Sequence, residues 1–181
     1  EKSMVLIKND NALPLSTEAG QKVLVLGSLA NMENTGDHAS SNSTSLTITT
    51  PYEGIQALNQ TFQNEVELYD GPDTNLAADK AKGADQVILV VGYTFEDEGE
   101  YINISGDMEG SAKAGKLIGE KGIGGDRENL NLLPEDEALI EAVSSVNKNV
   151  VVVYVGGSAI NMNSWEAKVP GILFAWYSGM E

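Results

Sequence analysis

The segment "QVILVVG" (residues 86–92) decides the fold class of this 181-residue chain. Every residue from 87 to 91 is apolar, so a strand here must be buried on both faces. A second run of this kind, "NVVVVYVGG" (149–157), follows a clear helical pattern over "PEDEALIEAVSSVN" (134–147). Doubly buried strands that alternate with helices are typical of an α/β domain built on a parallel sheet.

The rest of the chain continues this alternation of strands and helices. Three more strands and two more helices are predicted: "KVLVLG" (22–27), "EVELYD" (65–70), "GILFAWY" (171–177), and the helices "PYEGIQALNQ" (51–60) and "TNLAADKAKGA" (74–84). We therefore predict a mostly parallel sheet of five to six strands with helices on both faces, a flavodoxin-like three-layer α/β/α sandwich. The opening "SMVLIKND" (3–10) is predicted to form a short amphipathic helical segment.

Two of the predicted helices show clear start signals and an apolar face. Thr50 suits an N-cap position, Pro51 suits the first helical position, and Ile55 and Leu58 are expected to face the core. The acidic residues after Pro134 suit the first turn of the later helix and its dipole. Apolar residues recur at helical spacing along that helix, at Leu139, Ala142, Val143 and Val146.

Composition excludes several classes of protein and of site. The formal net charge is −16 with a pI near 4.3, and such a surface repels phosphate backbones, so no nucleic-acid partner is predicted. The absence of Cys excludes disulfides, thiolate metal sites and a Cys nucleophile. No apolar run approaches the roughly 20 residues that span a membrane, so no membrane association is predicted. The compartment is left open among cytoplasm, periplasm and secretion.

The functional residues of a parallel α/β sheet lie on the loops that follow the carboxyl ends of its strands. Three such loops are predicted here: 28–50, 93–133 and 156–165. The glycine-rich "GSAKAGKL" (110–117) lacks both the preceding strand and the Ser or Thr that a phosphate-binding P-loop requires. His38 is the only His, and it cannot build a His-rich metal site, so it is either a hydrogen-bonded loop residue or a substrate contact. No cofactor and no metal site are predicted.

The loop "FEDEGEYINISGD" (95–107) places a cluster of acids directly after the buried strand 86–92. A run of acids is commonly a solvated face. A calcium site through Asp97, Glu98, Glu100 and Asp107 is a second interpretation, although the EF-hand spacing is lacking. The third is a general acid, because burial and neighbouring carboxylates raise the pKa of a carboxyl group toward working pH.

Read in order, several segments resemble the second, α/β-sandwich domain of glycoside hydrolase family 3. The segments are "EKSMVLIKNDNALPL", "KVLVLGSLA" with "GDHASS", "VVGYTFEDEGEY" followed by "GGDRENLNLLPEDEALIEAV", "NVVVVYVGGSAINMNSW", and "VPGILFAWYSGME". The resemblance implies hydrolysis of β-linked sugars from the non-reducing end with retention, mostly by β-glucosidases or β-xylosidases. Retention takes a nucleophile and an acid/base. In this family the nucleophile is an Asp of a preceding (β/α)8 barrel, which this chain does not contain.

The resemblance also assigns roles to particular residues. Glu98, followed by Gly99, matches the acid/base Glu of the family, and Glu100 before Tyr101 is the rival. Asp126 and Arg127 match the "D-R" pair of the family, which we interpret as an ion pair that braces the loop. Asp37 and His38 lie in a loop that approaches the sugar in some relatives, so they are assigned to substrate binding.

The resemblance implies that residues 1–181 form one α/β-sandwich domain, the second domain of a larger enzyme. The expected partners are a β-glucoside or oligosaccharide substrate and the N-terminal barrel domain. The domain alone is expected to be inactive, and without the partner carboxylate its acid loop is expected to be exposed. Two other hypotheses stay open: a non-catalytic sugar- or nucleotide-binding module, and a purely structural domain braced against a partner domain.

Overall fold

In the computed structural model of the chain, residues 3–35, 45–98, 127 and 129–178 are described below. These residues form one six-stranded sheet with the spatial order β1-β6-β5-β4-β2-β3. The six strands are β1 (Val5–Asn9), β2 (Lys22–Leu26), β3 (Glu65–Tyr69), β4 (Gln86–Gly92), β5 (Val150–Val155) and β6 (Gly171–Phe174). All neighbouring strands are parallel except the edge pair of β1 and β6. The five parallel strands follow the flavodoxin-like order 2-1-3-4-5, which confirms the predicted fold class.

Helices lie on both faces of this sheet. They are α1 (Pro51–Thr61), α2 (Thr74–Ala81), the single turn α3 (Phe95–Glu98) and α4 (Pro134–Val146), with a 3₁₀ turn at Glu166–Lys168. Helices α2 and α4 pack on one face, where Ala77, Ala81 and Val143 are fully buried. On the other face Tyr52 and Ile55 of α1 pack against a separate apolar cluster. Within the described residues, no helix is both long enough and apolar enough to cross a membrane.

Strand β4 lies at the centre because both of its faces are apolar. All seven of its residues are buried. Val87, Leu89 and Val91 face the cluster beneath α2 and α4, while Ile88 and Val90 face the opposite cluster. Since successive strand residues point to opposite faces, an unbroken apolar run fills two core layers at once. This confirms the burial predicted for residues 86–92.

The predicted start of α1 is confirmed in detail. The Thr50 hydroxyl accepts a hydrogen bond from the Glu53 amide at 3.2 Å, and the Glu53 carboxylate accepts one from the Thr50 amide at 2.9 Å. This reciprocal capping box, followed by Pro51 at the first helical position, satisfies amides that have no partner within the helix.

The predicted helical segment at residues 3–10 is wrong. Residues 5–9 form strand β1, which pairs antiparallel with β6, with Val5 opposite Phe174 and Asn9 opposite Gly171. Eight residues are too few for periodicity to separate a helical turn from an edge strand. The open edge of β6 offers backbone hydrogen bonds that an isolated turn cannot match, and this pairing decides the conformation.

Two predicted core positions also differ from the structure. Leu58 is 58% exposed, because α1 turns Tyr52, Ile55 and Asn59 toward the sheet instead. In α4, Leu139 and Val143 are buried as predicted, but Val146 is 36% exposed at the end of the helix. The buried face of α4 includes Asp136, Ile140 and Ser144, so it is wider than the apolar spacing indicated and contains polar residues.

Candidate functional site

The carboxyl ends of β4, β5 and β6 converge on the side chain of Glu98. Strand β4 ends at Gly92 and leads into the turn α3, whose last residue is Glu98. Gly157 and Ser158 follow β5, and Tyr177 follows β6. Because parallel strands end at the same edge, residues far apart in sequence meet here.

Thr94 fixes the turn that presents Glu98. Its carbonyl oxygen accepts hydrogen bonds from the amides of Asp97 and Glu98, at 3.0 and 3.1 Å. Its amide and hydroxyl both donate to the Asp97 carboxylate, at 3.0 and 3.1 Å, and its hydroxyl accepts from the Glu96 amide at 3.2 Å. These contacts fix the direction of a helical turn only four residues long.

Among the described residues, four donors surround the Glu98 carboxylate. Oε1 lies 2.8 Å from Nε of Arg127 and accepts from the Ser158 hydroxyl at 3.3 Å. Oε2 accepts from the Gly157 amide at 2.7 Å and from the Tyr177 hydroxyl at 2.6 Å. The Glu98 side chain is only 11% exposed. The expectation that this acid is exposed without a partner domain is therefore wrong, because the domain's own donors hold it.

Arg127 is held on several sides. Its Nη2 donates to the Ser158 hydroxyl and, at 3.0 Å, to the Ala159 carbonyl. Its guanidinium carbon lies 4.4 Å from the centre of the Tyr93 ring, a cation–π contact. Burial alone lowers the pKa of this guanidinium, but the contact with Tyr93 and the charge of Glu98 outweigh burial and raise it. Arg127 is therefore a fixed positive charge beside Glu98.

Tyr177, in the wall of the site, and the buried Tyr154 are both neutral phenols. Burial, followed by the hydrogen bond to Glu98, raises the pKa of Tyr177 well above its ordinary value. Burial and the charge of Glu98 do the same for the pKa of Tyr154, whose hydroxyl donates to the Ser158 carbonyl at 3.1 Å. Both hydroxyls therefore keep their protons and remain hydrogen-bond donors at neutral pH.

These side chains line an open cavity of about 360 Å³. Its described walls are formed by Glu98, Arg127, Leu130, Gly157, Ser158 and Tyr177. Gly157 is suited to this wall because a Cβ there would lie 3.3 Å from the Tyr177 ring and 3.4 Å from Glu98 Oε2. Among these residues Glu98 is the one carboxylate, so the described cavity contains one acid flanked by hydrogen-bond donors.

A further carboxylate, Asp136, is buried in the first turn of α4. It is 5% exposed, and its Oδ2 accepts from the Gly92 amide at 3.0 Å. Burial raises the pKa of Asp136 to about 7; the Gly92 hydrogen bond opposes this shift, and the charges of Glu135 and Asp97 add to it. Asp136 therefore changes charge near neutral pH at the end of the strand that leads to Glu98.

Of the residues singled out from the sequence, the structure brings together Glu98 and Arg127. The ion-pair partner of Arg127 within the described residues is Glu98. The other site residues predicted from the sequence lie outside the described residues: Asp37, His38, Glu100 and Asp126. Asp107, proposed for a calcium site, also lies outside them. Over the described ranges, no three His, Cys, Asp or Glu side chains are grouped so as to hold a metal ion.

The profile of the "Glycosyl hydrolase family 3 C-terminal domain" matches residues 4–181. This chain belongs to glycoside hydrolase family 3. The resemblance noted in the sequence is thus confirmed over nearly the whole chain. The Glu98 site therefore lies within a family 3 C-terminal domain.

Individual relatives of this family 3 domain agree with the assignment. It is 26% identical to a β-xylosidase of Formosa agariphila, over 99% of this chain and 24% of that protein. It is 30% identical to an exo-α-(1→6)-L-arabinopyranosidase of Bifidobacterium longum, over 98% of this chain and 22% of that protein. Among solved structures, the Chaetomella raphigera β-glucosidase D2-BGL superposes with a TM-score of 0.67 at 26% identity, covering 98% of this chain and 25% of that one. The chain thus spans about a quarter of the length of these relatives.

Tyr177, Ser158 and Asp136 are not predicted as site residues from the sequence. Tyr177 and Ser158 have no local signal, because each belongs to a loop whose position is set by the sheet. Asp136 is predicted only as part of an acidic first turn. Its signal was available, since it stands three residues before Leu139 on the face that packs inward.

Proposed function

We propose that this family 3 domain carries the acid/base of a retaining, exo-acting β-glycosidase that removes β-linked glucosyl units from the non-reducing end. The observation that carries the proposal is the position of Glu98. Its carboxylate lines an open cavity at the carboxyl edge of the sheet, held by donors from three separate segments. Active sites of parallel α/β sheets lie at this edge.

Retention of anomeric configuration requires two carboxylates about 5 Å apart, one as nucleophile and one as proton donor. The described wall of the cavity supplies only Glu98. The second carboxylate would therefore come from another part of the enzyme, and we assign it to the N-terminal barrel domain. The active site then forms between two domains, and residues 1–181 alone would not turn over substrate.

The groups around Glu98 can accommodate a proton on its carboxylate. The hydroxyls of Ser158 and Tyr177 can each accept a hydrogen bond as well as donate one. Arg127 and the Gly157 amide can only donate, so they hold one lone pair on each oxygen. In this proposal a hydroxyl reorients when Glu98 is protonated, and the Glu98 proton passes to the departing glycosidic oxygen as the nucleophile attacks the anomeric carbon.

Exposed apolar residues support a contact with the rest of the enzyme. Met4 and the β1 residues Val5, Leu6 and Ile7 are all exposed. Met4 also lines an apolar groove of about 430 Å³, together with Leu13, Leu173 and Trp176. Consecutive exposed apolar residues on an edge strand are a liability unless they are covered. We infer that another part of the full-length enzyme covers them.

The test compares three single substitutions in the full-length enzyme: Glu98→Gln, Glu100→Gln and Glu96→Gln. Loss of a general acid costs about 10²–10⁴-fold in rate. We expect Glu98→Gln to lower kcat/KM for a β-linked disaccharide by that factor, and much less for an aryl glycoside whose leaving group needs no proton. Glu96, an exposed acid in the same turn, is the matched control and should keep full activity. Azide should rescue Glu98→Ala on activated substrates.

Two results would change the proposal. Full disaccharide activity in Glu98→Gln together with loss in Glu100→Gln would move the acid/base role to Glu100. Full activity in both variants would overturn the acid/base role of this loop. The anomer released first, followed by proton NMR, tests retention independently, and a panel of β-glucoside, β-xyloside and α-arabinopyranoside substrates identifies the sugar.

A second function is favoured by one feature of the same site. The described residues of its own domain make four hydrogen bonds to Glu98, an arrangement that also suits a structural brace. In that case Glu98 has a structural role only, and the domain is either a purely structural domain braced against a partner domain or a non-catalytic sugar- or nucleotide-binding module. Calorimetric binding of glucose, cellobiose or ATP by the 181-residue chain, with unchanged hydrolysis in Glu98→Gln, would support this alternative over the first.

A further inference from the structure

The Asp136 carboxylate occupies a position that a backbone acceptor would hold in a longer sheet. The Tyr93 amide donates to Val155 on β5 at 2.9 Å, so the amide of the preceding residue, Gly92, faces the opposite edge of β4. On that edge the last paired residue of β4 is Leu89, where β2 ends. The amide of Gly92 therefore lacks a strand partner there, and Asp136 Oδ2 accepts from it at 3.0 Å.

Only one residue, Tyr93, separates Gly92 from the residue that anchors the acid turn. Tyr93 is buried, and Thr94 then supplies the carbonyl that accepts the amides of Asp97 and Glu98. The backbone from Gly92 to Glu98 is therefore held at Gly92 by Asp136 and at Glu98 by the Thr94 carbonyl. A shift of Gly92 has no flexible linker to absorb it before it reaches the turn.

Resting on the proposed function, we propose that Asp136 is a positioning residue, whose hydrogen bond to Gly92 holds the end of β4 and thereby the turn that carries Glu98. Asp136 does not touch the cavity, so it is not a catalytic residue. Its effect would be transmitted by the backbone of residues 92–98.

The charges around Asp136 give this contact a direction of pH dependence. Among the described residues, the charges acting on it are Asp97 of α3 and Glu135 of α4, both negative, while β4 contributes the Gly92 amide dipole. Burial raises the pKa of Asp136 to about 7. The arrangement in which Asp136 is buried beside Gly92 is therefore most stable when the carboxyl is neutral. As pH rises through this value, opening that exposes Asp136 to water becomes easier, because the exposed carboxylate ionises without penalty.

Hydrogen–deuterium exchange of the full-length enzyme, followed by mass spectrometry, tests the inference. The relevant peptide covers residues 88–98, and rates are corrected for the pH dependence of intrinsic amide exchange. We expect the opening equilibrium of this segment to be about tenfold larger at pH 8 than at pH 6. The wild-type comparison needs no variant and therefore does not depend on whether a variant folds.

Substitutions assign the effect to Asp136. Asp136→Asn keeps an oxygen acceptor without the charge, so its opening should be the same at both pH values. Asp136→Ala removes the acceptor, and its segment should exchange faster than wild type at both. Glu135→Gln, an exposed neighbour in the same turn, should keep most of the wild-type pH response. An unchanged pH response in Asp136→Asn, or none in wild type, would overturn the inference.

Activity supplies a second readout. In the full-length enzyme, kcat of Asp136→Asn should decline less steeply above pH 7 than kcat of wild type, with KM unchanged. Asp136→Ala should lose about tenfold or more in kcat, because a misplaced catalytic group slows the reaction on this scale. If Asp136 had only a structural role, its variants would lower the amount of folded enzyme without altering the pH profile of kcat. That result would count against a positioning role. If the enzyme hydrolyses no β-glycoside, the proposed function fails, and the exchange experiment still decides the role of Asp136.

Discussion

Nε of Arg127 lies 2.8 Å from Oε1 of Glu98, and each side chain is about nine-tenths buried, with 9% and 11% exposed. Both groups have lost most of their water, so each depends on the other and on the surrounding hydrogen bonds for its solvation. Removing either one leaves the other as a buried charge with an incomplete set of partners. This pair therefore joins the stability of the domain to the geometry of its candidate site.

Arg127→Ala should destabilise the domain by about 3–5 kcal/mol, because Glu98 would keep its buried position without a countercharge. The matched control is Lys168→Ala, which breaks an ion pair with Glu141 whose partners are 43% and 59% exposed. Exposed pairs contribute about 0–1 kcal/mol. Urea unfolding followed by tryptophan fluorescence measures both, and equal losses would contradict the buried-pair interpretation.

Tyr177→Phe should lower the free energy of unfolding, measured in urea, by about 1.5–3 kcal/mol, the range for a hydrogen bond to a charged group. The hydroxyl that is removed donates to Glu98 Oε2 at 2.6 Å. If Glu98 is the acid/base, the variant should also lower kcat for a β-linked disaccharide, because the carboxylate loses one of the donors that hold it in place. Tyr52→Phe, whose hydroxyl accepts from Gln56 away from this cavity, is the control and should leave kcat unchanged.

Gly92→Ala should be among the most damaging single substitutions in the chain. Gly92 has a φ of +136°, and a Cβ there would lie 1.9 Å from the Val155 carbonyl oxygen. Both the strained backbone and the clash must be relieved by separating β4 from β5, at a cost of several kcal/mol, about 3 or more. Gly54→Ala in α1 meets only Thr49 at 3.8 Å and should stabilise the protein by about 0.5–1 kcal/mol. Thermal unfolding of the two variants gives the comparison.

Asp136→Asn should raise stability at pH 8 and leave it nearly unchanged at pH 4. The pKa of Asp136 is about 7 in the folded domain, above its ordinary value of 3.8, so its neutral form favours folding. This contribution is complete below pH 4 and is lost as pH rises through 7, for a total of up to ~4 kcal/mol.

The asparagine variant escapes that loss because it does not ionise, while its amide oxygen can still accept from Gly92. Urea titrations at pH 4, 6 and 8 measure the difference between variant and wild type. For Glu135→Gln in the same turn, the stability difference from wild type should vary little with pH, because Asp136 still titrates in that variant. A stability difference that is the same at all three pH values would mean that Asp136 does not titrate as described.

The central part of the fold was predictable because its signals are local. The apolar runs at 86–92 and 149–157 indicate doubly buried strands, and Thr50 as N-cap with Pro51 after it indicates where α1 begins. Edge strand β1 was not predictable in the same way. Its eight-residue pattern suits a helical turn and a strand equally, and only the open edge of β6 selects the strand.

Local patterns of residues are enough to predict the parallel α/β sheet, the loops at its carboxyl edge, the family, and the acid cluster that contains Glu98. That the Glu98 side chain is largely buried, and which groups bind it, follows only from the tertiary structure. The Gly157 amide and the Tyr177 hydroxyl are 59 and 79 residues away from Glu98 in sequence. Sequence patterns report periodicity and local capping, whereas the partners of a buried charge are set by which strand ends the sheet brings to one edge.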